Sequence, residues 1–119
     1  MIDAINIAAM IATIAFGAIG WLAPRYTLAK LDLTPTDSNF GISEIRAANG
    51  ALFVGLGAAA LVIQEPLGYA MVGFAYAGAA IGRLTGIVLD RVTKSTAYTF
   101  CAVEIVFAAW LIYVNLMFG

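Results

Sequence analysis

Two residues of opposite charge sit where an apolar chain has no easy place for them. Arg83 is the only charge in the run from Leu67 to Leu89, and Glu104 is the only charge in the run from Ala97 to Phe118. Glu44, Arg46 and Asn49 form a second polar group at the head of another apolar run, and Asp90 closes the run that holds Arg83. Carboxylates and guanidinium groups in such surroundings can hold a proton, an ion or a polar ligand. They can also simply pair and fix helices in register.

Depth along the helices favours one pairing. Arg83 precedes Asp90 by seven residues and Glu104 follows Tyr98 by six. At a helical rise of about 1.5 Å per residue they lie about 10 Å and 9 Å from the ends of their helices. The two runs are joined by a short turn, so Arg83 and Glu104 are expected to pair. An unpaired Arg at the centre of a membrane helix costs about 2.5–3.5 kcal/mol, while each Leu, Ile, Val or Phe returns only about 0.3–0.6. The apolar residues around Arg83 return roughly 3–4 kcal/mol in all, so one unpaired Arg would bring that helix close to break-even.

The six polar residues Glu44, Arg46, Asn49, Arg83, Asp90 and Glu104 are expected to gather near one end of the helices as a ligand site or a structural charge cluster. Two of them are cations and three are acids.

The rest of the composition narrows the chemistry. Hydrophobic residues make up 63% of the 119 and charged residues 11%, against roughly 45–50% and about 25% in ordinary globular proteins. Such a chain cannot cover a water-facing surface of its size. The net charge of −1 gives no bulk attraction for nucleic acid. There is no His and a single Cys, Cys101. His-ligated metals, an intrachain disulfide and a four-thiolate cluster are therefore excluded, and no metal site or cofactor is expected. No nucleophile–base pair or phosphate-binding Gly loop is present, so the expectation is a non-enzyme.

What positions these residues is a set of four apolar runs, near 4–23, 44–63, 67–90 and 96–118. Each is long enough for a helix to cross a hydrocarbon core of about 30 Å. Their apolar positions are continuous and do not alternate, which argues against strands. The reading is an all-α, integral membrane four-helix bundle, a single transmembrane domain over 1–119 with up-down-up-down topology. Connections are short except for the loop 24–43, which Pro24 opens and Thr34-Pro35-Thr36-Asp37-Ser38-Asn39 fills with turn formers. Ser43 reads as the N-cap of the second helix. Leu28, Leu31 and Leu33 suggest contact of this loop with the membrane surface. The first run lacks the basic leader of a signal peptide and is read as a retained helix.

Gly78, Gly82 and Gly86 recur every four residues and are expected to form a groove for a neighbouring backbone, inside the bundle or at a homodimer face. Arg25, Lys30 and Arg46 lie in or beside the first loop, and Arg91 and Lys94 in the third. The positive-inside rule then places both termini outside the cytoplasm of a bacterial inner (plasma) membrane protein.

The elements Ser43-Glu44-Ile45-Arg46-Ala47-Ala48-Asn49-Gly50, Gly55-Leu56-Gly57, Gly82-Arg83 with Asp90, and Glu104 resemble a family of small bacterial four-helix membrane proteins known only as a domain of unknown function. The pattern is similar in outline to the DoxX-like group. The resemblance implies the four-helix fold and no established chemistry. A thiol role like that of the DoxX group has only Cys101 to work with. Small multidrug exporters have a similar length but depend on an acid in the first span, and Ala4 to Ala23 holds none.

Function is expected to be that of an accessory or interaction subunit, with the lipid bilayer and a larger membrane assembly or a second copy as partners. The alternative is a small transporter or a ligand- or proton-binding membrane protein that uses Glu44, Arg46, Arg83 and Glu104.

Overall fold

The computed structural model describes residues 2–119. Its elements are α1 (Ile2–Leu22), α2 (Pro24–Lys30), α3 (Phe40–Arg46), a π-helical segment (Ala47–Ala51), α4 (Leu52–Ile63), α5 (Pro66–Leu89) and α6 (Ser95–Met117). No strand occurs among the described residues. Four helical stretches are long and apolar enough to span a membrane: Ile2–Leu22, Phe40–Ile63, Pro66–Leu89 and Ser95–Met117. Between 22% and 28% of each such stretch is buried within the chain, so most of this apolar surface needs a non-aqueous surrounding.

The chain divides into two compact units, one of residues 3–62 and one of residues 63–119 with Ile2. In the first, α1 runs antiparallel to the second span. Gly20 lies against Asn49, Gly17 against Gly50 and Val54, and Gly57 against Met10 and Ile14. The buried residues of α1 (Asn6, Met10, Thr13, Gly17 and Gly20) recur at spacings of four and three, which makes one seam along the helix. A Cβ at Gly17 would stand 2.6 Å from the Gly50 carbonyl oxygen and 2.8 Å from the Val54 nitrogen. The two helices therefore touch backbone to backbone, as small residues permit in apolar surroundings.

Two expectations for the first loop are corrected. Residues 24–30 are helical, because Pro24 stands at the first helical position, where its missing N–H costs nothing. The second span starts at Phe40 and not at Ser43, and its N-cap is Asn39. Packing decides this. Ile42 and Ile45 are buried with Leu28 of α2, with Leu31 at the edge, and that contact holds a helical turn ahead of Ser43. Phe40 N–H donates to Ser38 Oγ at 3.3 Å.

The second unit is the hairpin of α5 and α6. Its register is set by Gly73 against Leu111 and Ile112, the Tyr76 ring 4.9 Å from that of Phe107, and Cys101 Sγ donating weakly to the Ala80 carbonyl at 3.9 Å. Asp90 caps α5, its N–H donating to the Gly86 carbonyl. Arg91 then takes a left-handed backbone with φ 55°, and Gln64 does the same with φ 52° between α4 and α5. Left-handed residues of this kind commonly follow a helix end.

Candidate functional site

Of the six polar residues expected to gather, two meet in the second unit, Arg83 and Glu104. Ala80 and Cys101 form a rung between α5 and α6, and Arg83 follows one turn beyond Ala80 on the same face. Its guanidinium Cζ lies 5.3 Å from the centre of the Phe100 ring. Nε donates to Glu104 Oε1 at 2.8 Å, and Nη2 donates to Oε2 at 3.1 Å. Both carboxylate oxygens are thus engaged by one planar edge, the strong bidentate geometry available to Arg and not to Lys. The side chains are 29% and 14% exposed, so the acid is the more enclosed partner.

Asp90 takes no part in this pair. Helical side chains lean toward the helix N-terminus, and Asp90 lies two turns the other way from Arg83. The carboxylate is exposed at the C-cap of α5.

The polar residues of the first unit have other duties. Arg46 Nη1 donates to the Trp21 carbonyl at 2.6 Å. The last four carbonyls of a helix lack intrahelical donors, and α1 ends at Leu22. The break at Ala23–Pro24 leaves Trp21 among them, and the Arg46 cation meets the negative end of the α1 dipole. Nearby, Thr27 Oγ1 donates to the carbonyls of Ala23 at 3.2 Å and Ile19 at 3.4 Å. Asn49 contributes its backbone, which packs against Gly20, and Glu44 is exposed on α3.

Composition gave no sign of the π-helical turn over Ala47–Ala51. It sits where the backbones of Gly20–Trp21 and Asn49–Gly50 meet, and Gly50 is buried there. Single π turns inside α-helices often mark functional or strained positions.

Gly78, Gly82 and Gly86 do not form the contact between α5 and α6. Within the α5–α6 hairpin a Cβ on Gly78 or Gly82 would meet no atom within 4 Å, and one on Gly86 would meet only Asp90 Oδ2 at 3.7 Å. Gly78 and Gly82 each lie two residues from Ala80, which at about 100° per residue puts them on the side of α5 away from α6. The close approach in this hairpin is at Gly73, where a Cβ would stand 2.8 Å from Leu111 Cβ.

Comparison with known proteins adds the family. The model of a family described as Domain of unknown function (DUF4345) matches residues 2–115. The chain belongs to that family. No curated protein matches it, and no solved structure does.

This DUF4345 member also buries uncharged polar groups in its apolar helices. Asn6, Thr13 and Asn115 are 1%, 0% and 3% exposed. Thr13 Oγ1 donates to the Ala9 carbonyl at 2.8 Å, and Asn115 Nδ2 to the Leu111 carbonyl at 2.9 Å. Uncharged amides and hydroxyls can fold back onto their own helix in this way, so they are tolerated in apolar runs and leave no trace in a charge count. The signal was the position of Asn6 and Thr13 on the Met10–Gly17–Gly20 seam. Among the described residues no group of His, Cys, Asp and Glu could hold a metal ion.

Proposed function

We propose that this chain is a non-enzymatic accessory subunit of a larger membrane assembly, held in shape by the Arg83–Glu104 pair. The observation that carries this reading is the bidentate contact itself. Each oxygen of Glu104 takes a donor from Arg83 at 2.8 Å and 3.1 Å. The Glu104 side chain is 14% exposed, so its main neighbour is the Arg83 guanidinium, and the pair ties α5 to α6 in one register. The Gly78–Gly82 side of α5, turned away from α6, offers a partner helix the close approach that small residues allow. The positions of Arg25, Lys30 and Arg46 on one side of the chain's connections, with Arg91 and Lys94 in the third, favour a bacterial inner membrane orientation with both termini outside the cytoplasm.

Purification of the tagged chain in mild detergent tests the accessory role. The expected result is a stoichiometric membrane-protein partner that is retained by wild type and lost on Gly82→Leu. Recovery of the chain alone, together with proton or solute uptake by reconstituted vesicles that Glu104→Gln abolishes, would replace this reading with transport.

A further inference from the structure

The elbow after α1 carries an open surface groove that the Arg83–Glu104 pair leaves unexplained. It has a volume of about 340 Å³ and is lined by Arg25, Leu28, Asp32, Leu33 and Pro35 among others. Its frame is a helix C-terminus. Leu33 N–H donates to the Leu28 carbonyl at 2.9 Å and Asp32 N–H to that of Ala29 at 3.2 Å, with Asp32 in the left-handed region at φ 60°. This paired bonding fixes the turn and places Leu28 and Leu33 together, as such caps commonly do.

The lining has two chemistries. Arg25 and Asp32 supply opposite charges from the two ends of α2, and Leu28, Leu33 and Pro35 supply an apolar wall. The groove begins three residues after the last residue of an apolar helix long enough to span a membrane. A molecule suited to it has a phosphate for the guanidinium, an ammonium for the carboxylate and an apolar body. Guanidinium groups bind phosphate oxygens bidentately. A carboxylate accepts from more than one donor, so Asp32 can take an ammonium beside its existing interaction. Lys30 lies 5.6 Å from the Tyr26 ring centre on the same short helix and adds to the positive field at this end of the span.

We infer that the α1–α2 elbow binds the headgroup of a phospholipid carrying a primary amine, a phosphatidylethanolamine, with phosphate on Arg25 and ammonium on Asp32. Phosphatidylcholine shares the phosphate, but its quaternary ammonium has no N–H to donate to Asp32.

The test is native mass spectrometry of the detergent-solubilised full chain titrated with phosphatidylethanolamine or phosphatidylcholine of the same acyl chains. Wild type is expected to bind the ethanolamine lipid about tenfold more tightly, equivalent to roughly 1.4 kcal/mol. Asp32→Asn, which keeps a residue tolerant of the left-handed backbone, should abolish that preference. Arg25→Gln should weaken both lipids. Both positions are exposed, and unchanged melting temperatures will show that the fold is intact. Equal affinity for the two lipids in wild type would overturn the proposal, as would a preference that survives Asp32→Asn. Displacement of the lipid by millimolar soluble phosphoethanolamine would assign the site to the soluble compound and overturn the lipid reading.

Discussion

The guanidinium of Arg46 caps the carbonyl of Trp21 at 2.6 Å, joining the end of the first span to the start of the second across 25 positions of sequence. It lies beside the place where Gly20 and Gly50 bring two backbones together. One cation thus satisfies a helix end that Pro24 has cut off from its own donors.

Arg46→Ala should destabilise the first unit by about 0.3–1 kcal/mol, the range for a cation at an exposed helix C-terminus. Arg46→Lys should recover part of this, since an ammonium can still donate to Trp21. Thermal unfolding in detergent at low and high salt is the check. The loss should shrink as salt screens the dipole.

Glycine substitutions should split by face. A Cβ at Gly20 would collide with the Asn49 carbonyl and one at Gly50 with the Trp21 backbone, and neither neighbour is a flexible side-chain end. Gly20→Ala and Gly50→Ala should each cost about 1–3 kcal/mol or abolish accumulation, as overpacking does. Gly78→Ala meets open space within its hairpin and should leave melting unchanged or raise it by up to about 1 kcal/mol through helix propensity. Melting temperatures of the purified variants decide between these outcomes.

Gln64 and Arg91 hold left-handed backbones in the connections that precede α5 and α6. Glycine enters that region without the Cβ penalty. Gln64→Gly and Arg91→Gly should therefore each stabilise by up to about 1 kcal/mol, measured as a rise in melting temperature. A fall at both positions would mean that their side chains hold these connections.

Much of the fold was legible because lipid-length apolar runs announce themselves. The observed spans begin and end within two residues of the sequence reading for α1, α5 and α6. The start of the second span was not legible, because Phe40–Ser43 becomes helical through the packing of Ile42 and Ile45 on Leu28, a contact between segments. Depth arithmetic pointed to Arg83 and Glu104, and their side chains meet. Glu44, Arg46 and Asn49 were grouped by charge count and proximity in sequence, which cannot foresee that a broken helix end at Trp21 takes Arg46. Periodicity likewise displays a stripe of Gly78, Gly82 and Gly86 without saying which side of α5 faces α6.

The structural role of the Arg83–Glu104 pair is tested most directly by a double-mutant cycle on thermal unfolding in detergent. Glu104→Leu or Arg83→Met alone should each destabilise the second unit, by less than the roughly 3–5 kcal/mol typical of a fully buried pair because Arg83 is partly exposed. The combined Arg83→Met, Glu104→Leu chain should regain most of that stability and keep its co-purifying partner, since a pair that only fixes register can be replaced by apolar packing. Single variants that melt like wild type, or a combined variant that stays folded but loses its partner, would contradict a purely structural pair.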